Sequence, residues 1–186
     1  MWLQVFRVFS MKNKLLIAFS IILIILISIF AVNYLLLQQK MNDVLAQDAR
    51  NDGIKVSVRF AGFVNYKELN YNITDISDNS SSLDVTRVLL QFAEKVQDRN
   101  FNKVYLAADG KTKFYLKGDY FKTIGEEYEF QNPIYTLRTM PENVYNLDGS
   151  NAFDKWEGGI FGVTNRQMSD LNDFCQQWFI QELIGK

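Results

Sequence analysis

The chain contains no histidine, one cysteine (Cys175) and only two prolines. Without histidine, neither a Ser-His-Asp triad nor a Cys-His pair can form, and most zinc sites lose their usual ligand. A single cysteine cannot form an internal disulfide, so the fold must depend on its hydrophobic core. We therefore predict no metal site and no cofactor, and we expect Cys175, on the apolar face of the last predicted helix, to be a buried structural thiol.

Charge is missing from one long stretch of the chain, Leu15–Leu37. This segment has 23 residues, of which 17 are Leu, Ile, Phe or Val. As a helix it would rise roughly 34 Å, slightly more than the hydrocarbon core of a bilayer. It is longer than the roughly 7–15 apolar residues of a cleaved signal, and no small-x-small cleavage site follows it. We predict an uncleaved transmembrane helix over 15–37, with Asn33 near its outer end, in reach of interfacial water.

Acidic residues are also absent before this segment. Arg7, Lys12 and Lys14 precede it, whereas all 21 acids and the other 17 basic residues follow it. By the positive-inside rule, residues 1–14 lie in the cytoplasm and the rest of the chain lies across the membrane. The slightly acidic remainder has no electrostatic reason to bind nucleic acid. Met11, which begins a compact basic start, is an alternative to Met1 as the first translated residue.

The residues after the apolar segment predict one α+β domain. Residues 38–53 are predicted to extend the helix as a short spacer, with Met41, Val44 and Leu45 as an apolar stripe. Strands are predicted by alternation at 54–60 and 68–77, by the Asp109-Gly110 hairpin turn within 104–116, and at 134–140. Helices are predicted at 83–100, at 120–128, and from Arg166 to about Ile184, where Thr164 and Gln167 form a capping-box pattern. Residues 141–149 are predicted to be a loop.

The order of these elements shows no regular alternation of strand and helix. It therefore favours a domain over 54–186 with an antiparallel sheet and about three helices. The 15% aromatic content supplies enough bulk for a hydrophobic core.

Candidate binding residues cluster late in the sequence. Aromatic side chains at surface positions are typical of sugar-binding and protein-binding surfaces, and the glycine-rich run DKWEGGIFGV precedes the last helix, although its spacing matches no phosphate loop. The candidate surface residues are Tyr135, Tyr145, Trp156, Gly158 and Gly159. The carboxylate pairs Asp148 with Asp154 and Asp170 with Asp173 are candidates for acid–base work on a glycan, although acids in the first turns of a helix also favour its dipole.

A longer sequence pattern in the same region resembles a known group of proteins. The run QNPIYTLRTMPENVYNLDG at 131–149, the W-x-G-G of Trp156 to Gly159, and QMSDLNDF at 167–174 resemble a pattern in small, uncharacterised bacterial proteins with one N-terminal transmembrane segment. The resemblance covers about residues 88–180. It implies a bacterial inner membrane and a periplasmic domain, and it implies no activity and no catalytic residue.

Three functions fit this sequence. The leading hypothesis is a single-pass inner-membrane protein whose periplasmic domain binds an envelope protein partner or acts as a scaffold, without catalysis. The alternatives are a domain that binds or senses a small ligand, and a carboxylate-based enzyme that acts on cell-wall glycan. In all three, the bilayer is a partner through residues 15–37.

Overall fold

The computed structural model describes the backbone of residues 2–183 and the side chains of residues 13–159 and 162–183. Its first feature is a long helical run made of α1 (Trp2–Asn33), a π-helical turn (Tyr34–Gln38) and α2 (Gln39–Gln47). Within this run, Asn13–Gln47 is long and apolar enough to cross a membrane. The large apolar side chains from Leu15 to Ile27 are 47–67% exposed, so this part of the helix is no core helix of a soluble domain.

A five-stranded sheet forms the centre of the domain, in the order β1-β2-β3-β4-β5. Its strands are β1 (Ile54–Ala61), β2 (Asn65–Ile76), β3 (Lys103–Ala108), β4 (Lys111–Lys117) and β5 (Val144–Asn146). The predicted hairpin turn is confirmed, because Asp109 and Gly110 join β3 to β4 with φ of 49° and 77°, as a tight hairpin requires.

The α+β class is confirmed, but the sheet is mixed, so the prediction of an antiparallel sheet is wrong in one pairing. Strands β2 and β3 run parallel, with Leu69 opposite Val104 and Tyr71 opposite Leu106. Helix α3 (Ser82–Lys95) connects them. A parallel pair needs such a crossover, because the chain must return from the end of the first strand to the end of the sheet where that strand began. A capping box between Ser81 and Asp84 begins this helix.

The remaining helices are α4 (Gly118–Glu126), α5 (Pro133–Thr139), α6 (Ile160–Cys175) and the short α7 (Gln181–Leu183), which a π-helical turn (Gln176–Ile180) joins to α6. Short 3-10 turns lie at Ala49–Asn51 and Met140–Asn143. The domain thus has more helices than the three predicted. One core on a single face of the sheet includes Tyr71, Phe92, Phe174, Trp178 and Phe179.

Two local predictions near the candidate surface are wrong. The run at 134–140 is helix α5, not a strand, because Asn132 caps Ile134 through its side-chain oxygen and Pro133 takes the first helical position. Within the predicted loop 141–149 lies the short strand β5, which pairs with β4.

The start of the last helix also differs from the prediction. Helix α6 begins at Ile160 after Gly159, so Thr164 and Gln167 lie inside it rather than at its cap. The predicted end of the last helix at Ile184 lies outside the described residues.

The long helix is hydrogen-bonded to the open edge of β1. The Asn33 side chain accepts from the Phe60 backbone N–H at 2.8 Å and donates to the Phe63 carbonyl at 2.8 Å. Gln38 accepts from the Val58 N–H at 2.8 Å and donates to the Val56 carbonyl at 3.0 Å. These two amides bond the backbone of an edge strand much as a neighbouring strand would.

Asn33 therefore does not reach interfacial water as predicted; it is 5% exposed and packed against the domain. The π-helical turn explains why Asn33 and Gln38 share a face. A π turn holds one residue more than an α turn, so residues five apart are brought into line as residues four apart are in an α-helix. The predicted helical extension over 38–53 is confirmed as far as Gln47. Leu37, Met41 and Val44 from this part of the helix are at most 1% exposed in the core.

Glu182 ties the C-terminal helix to β4. Its carboxylate accepts hydrogen bonds from Lys113 and Lys111 at 2.5 and 2.6 Å. These bonds lower the pKa of Glu182 from 4.5 to about 2. A lowered pKa in the folded state contributes stability above pH 4.5, and this contribution is lost as the pH falls towards 2.

Replacing Glu182 with glutamine should therefore lower the urea midpoint at neutral pH, and the difference from the wild type should shrink between pH 4.5 and 2. Urea unfolding of the full chain in detergent micelles at a series of pH values measures this. Glu157→Gln, at an exposed position, is the matched control and should follow the wild type at each pH. A difference between Glu182→Gln and wild type that stays constant down to pH 2 would contradict the role of the two lysines.

Candidate functional site

The structure brings three of the five predicted surface residues together in a notch between α5 and α6. This α5–α6 notch has a volume of about 230 Å³ and is lined by Tyr135, Arg138, Trp156, Gly158, Val163, Thr164 and Gln167. Helix α5 supplies Tyr135 and Arg138, and α6 supplies the last three. Trp156 and Gly158 come from the segment that leads into α6, where Gly158 adopts a φ of 132° that favours glycine.

Two arginines lie over the aromatic rings of the notch. The Arg138 guanidinium is 5.1 Å from the centre of the Tyr135 ring, and it donates to the Thr164 hydroxyl at 2.7 Å. The Arg166 guanidinium is 4.6 Å from the centre of the Trp156 ring. A hydrogen bond also fixes the orientation of the Trp156 ring, because its indole N–H donates to Asp170 at 2.6 Å. The aromatic surface is thus held in place by cation–π contacts and hydrogen bonds before any partner arrives.

Gln167 adds a buried polar group to the notch. Its side chain is 6% exposed, and its amide nitrogen donates to Glu142 at 2.5 Å. Among the residues that the structure describes, no donor bonds its amide oxygen. A buried acceptor without a donor has a free-energy cost.

Tyr145 lies away from the notch, on the sheet face opposite the core. It stacks on Tyr115 of the neighbouring strand with ring centres 5.4 Å apart, and Tyr115 in turn contacts Tyr105. Lys117 lies 4.5 Å from the centre of the Tyr145 ring. This row of three tyrosines is a second aromatic surface, separate from the one that holds Tyr135 and Trp156.

Gly159 has a structural position beside the notch rather than in its lining. It is the residue before the first turn of α6, and its carbonyl accepts from the Val163 backbone N–H at 3.1 Å. Sequence reasoning missed Arg138 and Gln167. Arg138 follows Tyr135 by three residues, a spacing that brings side chains together on a helix, so predicting α5 as a helix would have found it.

The carboxylates of the predicted pairs lie in two different settings: Asp148 is bonded within its own turn, and Asp154 shares a groove with Asp170. Hydrogen bonds from the backbone N–H and hydroxyl of Ser150 hold the pKa of Asp148 below its ordinary value. A general acid in a glycosidase needs the opposite shift. Asp154 and Asp170 line a shared open groove of about 410 Å³ with Lys155, and Asp170 is already bonded to Trp156.

Cys175 is buried at 1% exposure, as predicted, and burial raises the pKa of its thiol to about 12. A thiol with so high a pKa is a poor nucleophile at neutral pH. Over the described part of the chain, no group of three His, Cys, Asp or Glu side chains is placed to hold a metal ion.

Comparison with known proteins gives no residue role to transfer to these surfaces. No protein-family model, curated protein or solved structure matches the chain. The function must therefore be argued from the geometry of the chain itself.

Proposed function

We propose that this chain is a single-pass inner-membrane protein whose periplasmic domain binds an envelope protein through the α5–α6 notch. The observation that carries the proposal is the pair of arginine–aromatic contacts, Arg138 on Tyr135 and Arg166 on Trp156, whose two aromatic rings line one concave surface. Tryptophan, tyrosine and arginine are the residues that most often dominate the binding energy of protein interfaces.

The size of the notch favours a protein partner over a small ligand. Its volume of about 230 Å³ is below the roughly 300–1,000 Å³ that small-molecule sites occupy. It is large enough for one or two side chains of a partner.

The membrane part of the proposal is supported by the apolar helix and by the distribution of charge. The three basic residues before Leu15 favour a cytoplasmic N-terminus. A reporter that is active only in the periplasm, fused after Lys186, should be active. An inactive fusion of a stably expressed chain would reverse the proposed orientation.

Crosslinking in cells tests the binding surface. A benzophenone amino acid at position 135 should capture a defined envelope protein, and Trp156→Ala should reduce that capture about tenfold or more, as for a residue central to an interface. Glu157→Gln, one residue further along and exposed, is the control and should leave the capture unchanged. Equal capture in Trp156→Ala and wild type would contradict binding through the notch.

The same strain distinguishes the enzyme alternative. Asp154 lines the open groove that it shares with Asp170 and Lys155, and it does not line the notch. If Asp154→Asn abolished the cellular function of the protein while crosslinking from position 135 persisted, catalysis in the groove would replace binding in the notch as the account of function.

A further inference from the structure

The turn between β1 and β2 lies against the apolar helix. This tip, Ala61–Tyr66, carries three large apolar or aromatic side chains, Phe63, Val64 and Tyr66. Val64 and Tyr66 are 56% and 57% exposed, and the Phe63 ring packs edge-on against Phe30 of α1 with centres 5.1 Å apart. Such a group of exposed apolar side chains at the end of a hairpin needs a covering surface.

Depth follows from the position of Phe30 along the helix. If the hydrocarbon core begins at Leu15, next to Lys14, the 15 residues up to Phe30 rise about 22 Å of a core that is roughly 30 Å thick. Phe63, with its ring centre 5.1 Å from that of Phe30, would then lie between about 3 and 8 Å below the outer boundary of the hydrocarbon.

One residue of the tip, Phe63, has a fully hydrogen-bonded backbone. Phe63 adopts a φ of 67°, which is unusual for a residue with a side chain. Both of its backbone polar groups are bonded: its N–H donates to the Phe60 carbonyl at 2.9 Å, and its carbonyl accepts from Asn33 at 2.8 Å. Backbone groups in lipid must be satisfied within the protein, and Phe63 meets this condition.

Two cationic residues flank the apolar tip in sequence, one before it and one after it. Arg59 lies in β1 with its guanidinium 4.6 Å from the centre of the Phe63 ring, and Lys67 is exposed at the start of β2. Long basic side chains place their stems along apolar surface and their charges near phosphate oxygens, and tyrosine is enriched at the same depth. Glu68, the next residue, is the acid closest in sequence to this group.

We propose that the β1–β2 tip inserts into the outer leaflet beside α1, as a second membrane contact with anionic headgroups around Arg59 and Lys67. This proposal rests on the proposed membrane anchoring. It adds that the bilayer itself fixes the orientation of the domain, because the sheet edge and the helix enter the lipid together.

Single cysteines labelled with a polarity-sensitive fluorophore test this insertion. Three full-length variants are prepared in nanodiscs of phosphatidylcholine and phosphatidylglycerol: Ser28→Cys within the apolar helix, Val64→Cys at the tip, and Leu147→Cys as the control. Val64 and Leu147 are equally exposed, at 56% and 55%, and Leu147 follows β5 in the direction away from the tip. Cys175 is 1% exposed, so wild type treated with the same fluorophore sets the background.

The probes at positions 28 and 64 should emit at shorter wavelength than the probe at 147. Lipids that carry a nitroxide near the headgroup end of the acyl chain should reduce emission from position 64 several-fold and leave position 147 unchanged. Equal emission and equal quenching at 64 and 147, with position 28 quenched, would overturn tip insertion and leave the anchor standing. An unquenched probe at position 28 would overturn the anchor and the tip insertion with it.

Discussion

Asn33→Leu is expected to lower the free energy of unfolding of the domain by about 2–6 kcal/mol. The substitution removes both partners that the Asn33 side chain gives to the sheet edge, the acceptor for the Phe60 N–H and the donor to the Phe63 carbonyl. Each buried backbone group left without a partner costs about 1–3 kcal/mol. Leucine at this position does not disfavour a helix in lipid. The loss of unfolding free energy therefore measures the contact between the helix and the sheet.

Urea unfolding of the full chain in detergent micelles, followed by tryptophan fluorescence, measures this loss. The matched control is Ser28→Leu in the same helix, which lies on an exposed face and should change the unfolding free energy by less than about 0.5 kcal/mol. An Asn33→Leu variant as stable as the control would show that the helix and the sheet edge are not bonded to each other.

Trp178→Ala is expected to cost about 3–5 kcal/mol, the range for a large buried aromatic residue. Trp178 is 0% exposed and contacts the rings of Tyr71, Phe174 and Phe179. Its indole N–H also donates to the Ala107 carbonyl at 3.2 Å. The substitution would open a cavity between the C-terminal helix and β3 and leave that carbonyl without its donor.

Trp156→Ala is the comparison for this variant. Trp156 is half-buried at the surface notch, so its loss should affect binding far more than the free energy of unfolding. A calorimetric or urea measurement that found the two tryptophan variants equally stable would contradict the assignment of Trp178 to the core and Trp156 to the binding surface.

The elements that the sequence predicts correctly are those whose own residues carry both the periodicity and the turn or capping residues of the element. The Asp109-Gly110 turn and the amphipathic α3 carry their own periodicity and turn chemistry, and both are present. The prediction of a strand at 134–140 is wrong because a seven-residue stretch that mixes apolar and polar residues fits either period, and here the capping residue Asn132 and Pro133 decide the outcome. The parallel pairing of β2 and β3 depends on where α3 returns the chain, which periodicity does not encode.

The candidate site was predictable only in part for the same reason. Tyr135, Trp156 and Gly158 meet in the notch, whereas Tyr145 projects from the opposite face of a strand that was predicted to be a loop. Arg138 lies beside Tyr135 only because α5 is helical. Gln167 had been assigned to a cap, and its burial against Glu142 follows from tertiary packing that no local pattern reports.

The junction between helix and domain was the least predictable feature. Residues 38–53 had been predicted as a spacer, and the structure packs Met41 and Val44 of this segment into the core. Asn33 and Gln38 bond β1 only because the π-helical turn aligns them. A π turn has no sequence signature that would distinguish it from the α-helix around it.

The hydrogen bonds that Asn33 and Gln38 make to β1 should hold the apolar helix and the sheet as one rigid unit, and a distance measurement tests this directly. Spin labels at Ser28→Cys and Leu147→Cys in the full chain, reconstituted in nanodiscs, report the separation of helix and domain by pulsed electron paramagnetic resonance. The account predicts a single narrow distance distribution that broadens in the Asn33→Leu background. A broad distribution in the otherwise unaltered chain would show a domain on a flexible tether and would contradict it.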